Sequence, residues 1–155
     1  MPPTVESERL LRRADLRVTR PRLAVLTAVG DHPHADTSSI ADAVRRDFGA
    51  VSLQAVYDVL RALTDAGLIR CIRPAGSVAR YESRVGDNHH HVACRSCGAI
   101  ADVDCATGTT PCLTASQDHG YSIDEAEVVF WGLCPDCSTA STPNQNDPSR
   151  KDRNV

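Results

Sequence analysis

The sequence predicts an α+β chain in which an N-terminal winged helix-turn-helix precedes a small α/β domain with a four-cysteine zinc site. Three observations carry that expectation. Apolar residues recur at helical spacing as far as Ala66 and then give way to a short alternating hairpin. From His89 onward the pattern turns strand-like. Four of the seven cysteines form two C-x-x-C pairs, Cys94 with Cys97 and Cys134 with Cys137.

Taken in order, Glu6 to Ala14 has a helical pattern. Thr19 to Val29 follows with an Arg-Pro start and with Leu23, Leu26 and Val29 on one face. Asp36 or Thr37 can cap a third helix, which carries Ile40, Ala43 and Val44 and ends near Phe48-Gly49. The fourth helix is expected over Leu53 to Ala66. Ser52 is its N-cap, Leu53, Val56, Leu60 and Leu63 face the core, and Gly67 stands where the left-handed conformation ends a helix. LIRCIR and VARYES alternate around a PAGS turn and form the wing. HHHVAC, AIADVD and EVVFWGLC read as strands, with one short helical possibility around Leu113 to His119.

Composition divides the chain. Up to Arg84 there are 13 arginines and no lysine against 10 acids, whereas the remainder has 4 basic residues against 10 acids. The expected domains are therefore 1–84, whose basic charge suits DNA, 85–140, which carries the paired cysteines, and a disordered polar tail at 141–155. Arginine suits phosphate because a guanidinium can grip two oxygens at once. No run approaches the roughly 18 apolar residues that would span a bilayer. The first residues also lack a secretory signal pattern, so a cytoplasmic protein without membrane association is expected.

With its apolar stripe turned inward, the fourth helix presents Gln54, Tyr57, Asp58 and Arg61 on the opposite face. Gln matches the adenine edge, Arg the guanine edge, and Tyr a thymine methyl or a phosphate. Arg12, Arg13, Arg17, Arg20 and Arg22 surround that helix with positive charge. Asp58 is the awkward member, since a carboxylate is repelled by DNA unless it accepts from cytosine or fixes a neighbouring Arg.

Each C-x-x-C pair puts two thiolates on one tight turn, and two pairs complete a tetrahedral zinc shell. The 36 residues between Cys97 and Cys134 exceed a simple zinc ribbon, so a folded subdomain must lie between them. A shell closed by four thiolates has no position for water. With no deaminase-type H-x-E element and no general base beside an open metal position, the chain reads as a non-enzyme. The competing function is a thiol-disulfide switch using the quartet or Cys71, Cys105 and Cys112. In His89-His90-His91, strand geometry sends His89 and His91 to one face as a ready two-nitrogen site.

The chain resembles the ferric uptake regulator family across Arg13 to Cys137. The resemblance is carried by Arg17-Val-Thr-Arg-Pro-Arg22, Ser52-Leu-Gln-Ala-Val-Tyr57, Gly67-Leu-Ile, Arg80-Tyr-Glu82, His89-His-His91, Cys94-x-x-Cys97-Gly98 and Gly132-Leu-Cys134-x-x-Cys137. Within the family it looks most like the actinobacterial branch that represses catalase-peroxidase genes, and it is similar to the peroxide-sensing regulators. The resemblance implies a homodimeric repressor on a palindromic A/T-rich operator, with Arg17, Arg22, Ser52, Gln54, Tyr57 and Arg61 at the DNA. It implies structural Zn2+ at the cysteines and a regulatory site of His34, Glu82, His89, His91 and Asp102. His32 stands close enough to replace His34. Three imidazoles and two carboxylates suit Fe2+ or Mn2+, with Zn2+ able to occupy the site in purified protein. The family's other non-cysteine site is not matched, because Asn88, His90, Thr109 and Ala126 stand where His, Asp, Glu and His are usual. Asp58 also departs from the basic or amide residue that several members carry.

Overall fold

A computed structural model of the chain describes residues 3–87, 89–104, 114–123 and 126–140. They form two compact units that divide after residue 88. No helix among the described residues is long and apolar enough to cross a membrane.

The first unit is helical with a small sheet. α1 (Pro3–Arg13) and α2 (Arg20–Asp31) are followed by β1 (Ala35–Asp36), α3 (Thr37–Phe48), α4 (Leu53–Asp65), β2 (Arg70–Ile72) and β3 (Arg80–Glu82). The starts of α2, α3 and α4 each have a local cause. The side chain of Thr19 accepts from the Arg22 N–H, that of Asp36 from Ser39, and that of Ser52 from Ala55, so each satisfies a donor the helix cannot. Pro21, in the first turn of α2, loses no hydrogen bond there. α4 stops because Gly67 adopts φ +67°, a left-handed conformation costly for residues with a Cβ. The Gly67 and Leu68 amides then close the last turn on the carbonyls of Thr64 and Leu63.

Packing of the three longer helices against α1 buries Leu11, Val25, Val29, Ile40, Val56, Leu60 and Leu63. Leu53 departs from expectation: it is 40% exposed, because at the first helical position its side chain points past the core. β1 was not legible in the sequence. It pairs antiparallel with β3, giving the order β1-β3-β2.

In the second unit, β4 (His89–Cys94) lies between β5 (Ile100–Asp104), antiparallel, and β6 (Val129–Gly132), parallel. α5 (Pro135–Ala140) follows. Alternation along β4 puts His89, His91 and Ala93 on one face. The helical possibility at Leu113 to His119 does not materialise in its described part, 114–119, where Asp118 and Gly120 instead build a turn. Leu113, Cys105, Cys112, Asn88, Thr109 and the expected tail at 141–155 lie outside the described residues. α5 was not foreseen.

Candidate metal centres and DNA-reading face

The cysteine quartet is assembled by the β4–β6 register. Cys94, the last residue of β4, pairs with Gly132, and the chain reaches Cys134 two residues later. The Cys94 turn is closed by the Gly98 amide on the Cys94 carbonyl at 3.0 Å, and Gly98 takes φ +73° to do so. Cys137 comes from the first turn of α5. All four sulfurs lie within 4.8 Å of one another, and the Sγ atoms of Cys97 and Cys134 are 3.7 Å apart. A tetrahedral zinc with bonds of about 2.3 Å requires sulfur–sulfur edges of about 3.8 Å, so the cluster fits that ion.

The thiols themselves call for a cation. Backbone N–H groups of Cys97 and Cys134 aim at Cys94 and pull its thiol down to about 6. Cys137 is pushed up to about 12: a hydrogen bond from Ser96 favours its thiolate, but the crowding Cys134 and Cys97 sulfurs outweigh that. The Cys137 proton is thus held by hydrogen bonding to the neighbouring sulfurs and by desolvation of its thiolate, and a metal ion binds the deprotonated form. Arg95 ties the two halves of the cluster together. Its N–H donates to the Gly132 carbonyl at 2.8 Å, and its guanidinium lies 5.3 Å from the centre of the Trp131 ring.

Each unit also holds its own His–carboxylate pair. In the first, His34 Nε2 is 3.1 Å from Glu82 Oε2, and the Glu82 side chain is almost fully buried. β1 causes this, because the His34 amide donates to the Tyr81 carbonyl at 2.9 Å and so aligns His34 beside the residue after Tyr81. His34 itself sits at φ +62°, a conformation that costs a non-glycine residue about 1 kcal/mol or more and tends to persist where surrounding structure enforces it. Arg80 adds to that enforcement by donating to the His34 carbonyl at 3.3 Å. His32 is exposed at the end of α2. In the second unit, His91 and Asp102 are cross-strand partners with Nε2 and Oδ1 3.7 Å apart, and the His89 ring meets the His91 ring edge-on at 5.0 Å.

On α4, Gln54, Tyr57, Asp58 and Arg61 are all exposed. Together with Arg73 and Val78 of the wing they line a cavity of about 580 Å³. Ser52 is occupied as the helix cap, which leaves its hydroxyl committed to the Ala55 amide at 3.1 Å. Arg17 is exposed, but Arg22 is half-buried and spends one guanidinium nitrogen on the Arg17 carbonyl at 2.8 Å. Arg22 therefore braces the loop that presents Arg17. One contact went unread in sequence, although its four-residue spacing was visible: Gln54 Nε2 donates to Asp58 Oδ1 at 3.1 Å.

The profile of the ferric uptake regulator family matches residues 13–131. The chain belongs to the ferric uptake regulator family. Transcriptional regulator FurA of Mycobacterium tuberculosis is 71% identical to it over 132 residues, covering 85% of this chain and 90% of that protein. The peroxide-responsive repressor PerR of Staphylococcus aureus is 27% identical over 133 residues, with 85% and 89% covered. Among solved structures, the Helicobacter pylori ferric uptake regulator Fur, described as having three functional metal binding sites, superposes with a TM-score of 0.71 at 18% identity, covering 90% of this chain and 94% of that one. Like other members of the ferric uptake regulator family, the chain is a transcriptional regulator with a winged helix-turn-helix ahead of a small α/β domain. The family match stops before Cys134, so the closure of the quartet rests on this chain's own geometry.

Proposed function

We propose that the chain is a metal-dependent repressor that binds a palindromic A/T-rich operator as a homodimer and responds to peroxide as well as to iron. The observation that carries this reading is the presence of one His–carboxylate pair in each unit, His34 with Glu82 and His91 with Asp102. These four residues and His89 form the regulatory site, and the cysteine quartet holds structural Zn2+. Imidazole and carboxylate donors suit Fe2+ or Mn2+, while Zn2+ can occupy the same donors in purified protein.

Ligands drawn from both units make metal affinity depend on the angle between them. An ion that prefers one angle shifts the population towards it by that preference and no more. In a dimer the same angle sets the spacing of two α4 helices, which must match half-sites about one turn of DNA apart. Gln54, Tyr57 and Arg61 then meet bases, with Arg17, Arg22 and Ser52 at the backbone.

His34, Glu82, His89, His91 and Asp102 would hold Fe2+, which would supply the reducing chemistry by which peroxide could add one oxygen to a neighbouring imidazole and leave as water. His34 and His89 are the residues expected to be oxidised. A catalase-peroxidase or related oxidative-stress gene is the fitting target. The test is DNA binding by cleanly stripped, zinc-retaining dimer reloaded with each metal. Tight operator binding is expected with Fe2+ or Mn2+ only, peroxide should release only the Fe2+ form, and peptide mass spectrometry should find one oxygen on His34 or His89. Equal binding without regulatory metal would overturn the coupling. Release of both metal forms with new disulfides and unmodified histidines would instead support the thiol switch.

A further inference from the structure

Asp58 is misplaced for a surface that meets phosphates, and its contact with Gln54 gives it a task. Gln54 and Asp58 stand one helical turn apart on the exposed face of α4, with Gln54 Nε2 donating to Asp58 Oδ1 at 3.1 Å. Both side chains line the cavity between α4 and the wing that Tyr57 and Arg61 also line.

The chemistry of the pair is asymmetric. A free glutamine amide can rotate to exchange its oxygen and nitrogen, and so can offer either order of donor and acceptor to a base. An ionised carboxylate only accepts hydrogen bonds, so beside Asp58 the amide must turn its nitrogen inward. One amide hydrogen is consumed there, leaving Oε1 and one N–H. That acceptor and donor match the N6 amino group and N7 of adenine in the major groove. They match guanine poorly, because its O6 and N7 are both acceptors.

We propose that Asp58 is a positioning residue for base selection: it fixes the amide of Gln54 in the order that reads adenine, at the cost of a negative charge near the DNA backbone. The inference rests on the DNA-reading function proposed above. It separates Asp58 from a residue that reads cytosine directly, because its effect must appear at the base Gln54 contacts.

The experiment is selection from a pool of random duplex DNA by the full chain, zinc-retaining and loaded with Mn2+, followed by affinities for selected sites changed one base pair at a time. Gln54→Ala, Asp58→Ala and Asp58→Glu are compared with the unaltered chain, all four checked for equal thermal unfolding. The unaltered chain is expected to prefer adenine at one position per half-site. Gln54→Ala and Asp58→Ala should each lose about tenfold of that preference at the same position, as expected for one bidentate contact. Asp58→Glu, which keeps a carboxylate within reach, should retain it. Asp58→Ala should also bind random DNA more tightly, since a repelling charge is gone.

Asp58→Ala that keeps the adenine preference while Gln54→Ala loses it would overturn the proposal. So would a loss at a different base pair, which would assign Asp58 a base of its own. An unaltered chain that selects no sequence would overturn the DNA-reading function itself, and the proposal with it.

Discussion

The two units bury different things. In the first, the large fully buried side chains are aliphatic apart from Glu82: Leu11, Val25, Val29, Ile40, Val56, Leu60 and Leu63 stand among them. In the second, the buried residues among those described are His89, His90, His91, Ala93 and Cys94. Aliphatic burial stabilises a fold unconditionally, at about 25 cal/mol per Å² removed from water. Buried imidazoles and thiols do not, because each needs a polar partner or a metal to offset desolvation. The second unit also exposes Val92 and Phe130, which are paired neighbours on one face of its sheet. The first unit is thus built to be constant and the second to depend on what it binds. That division suits a sensor, since stability contributed by a ligand changes with the ligand's concentration.

The largest test of this contrast is Cys94→Ser. Losing one of four thiolates should abolish zinc retention, and structural zinc contributes on the order of 10 kcal/mol in small domains. The second unit should lose cooperative unfolding and the dimer should dissociate, while the helical circular dichroism of the first unit stays. Trp131, the sole tryptophan, lies in the second unit and reports its unfolding separately. A Cys94→Ser chain with wild-type zinc content and an unchanged tryptophan transition would break the comparison.

The mirror experiment is Leu60→Ala. Leu60 is 0% exposed, and truncating such a leucine costs about 2–5 kcal/mol through lost burial and the cavity left behind. The helical transition should fall by that amount with zinc affinity unmoved, measured by denaturant titration alongside chelator competition.

Smaller and pH-dependent is Asp36→Ala, which removes the cap of α3 and should cost about 1 kcal/mol. The hydrogen bond from the Ser39 amide holds the Asp36 carboxyl below its ordinary range. A carboxyl whose value is lowered on folding stabilises the fold above its unfolded pKa, near about 4, and loses that contribution as pH falls through the folded value. The gap between Asp36→Ala and the unaltered chain should therefore be constant from pH 8 to about 5 and close in stronger acid. A gap that widened on acidification would contradict the assignment.

The smallest expected effect is Arg95→Ala. It removes an exposed cation–π contact with Trp131, for which about 0.5–1 kcal/mol is typical, but leaves the backbone bond to Gly132. Zinc loss to a chelator should quicken by a few-fold and tryptophan emission should shift, with the first unit unaffected. An equal destabilisation of the helical transition would show that the units are not energetically separate.

By itself the sequence determined what neighbouring residues decide. Helix periodicity, the caps at Thr19, Asp36 and Ser52, the stop at Gly67 and the two C-x-x-C turns act within about four positions, so their signals stand side by side in the chain. Leu53 failed that reading because a helical stripe does not say where the core ends. Tertiary structure alone decided the pairings over distance. Glu82 meets His34 across 48 positions because the two-residue β1, too short to show alternation, docks on β3. Cys134 meets Cys94 across 40 because β6 lies parallel to β4 in one register. α5 formed where Pro135 could start it and Asp136 favour its first turn, but its polar composition gave no apolar period to read. Register and docking are set by which faces pack together once both partners exist, and that information is spread over the whole chain rather than written at either site.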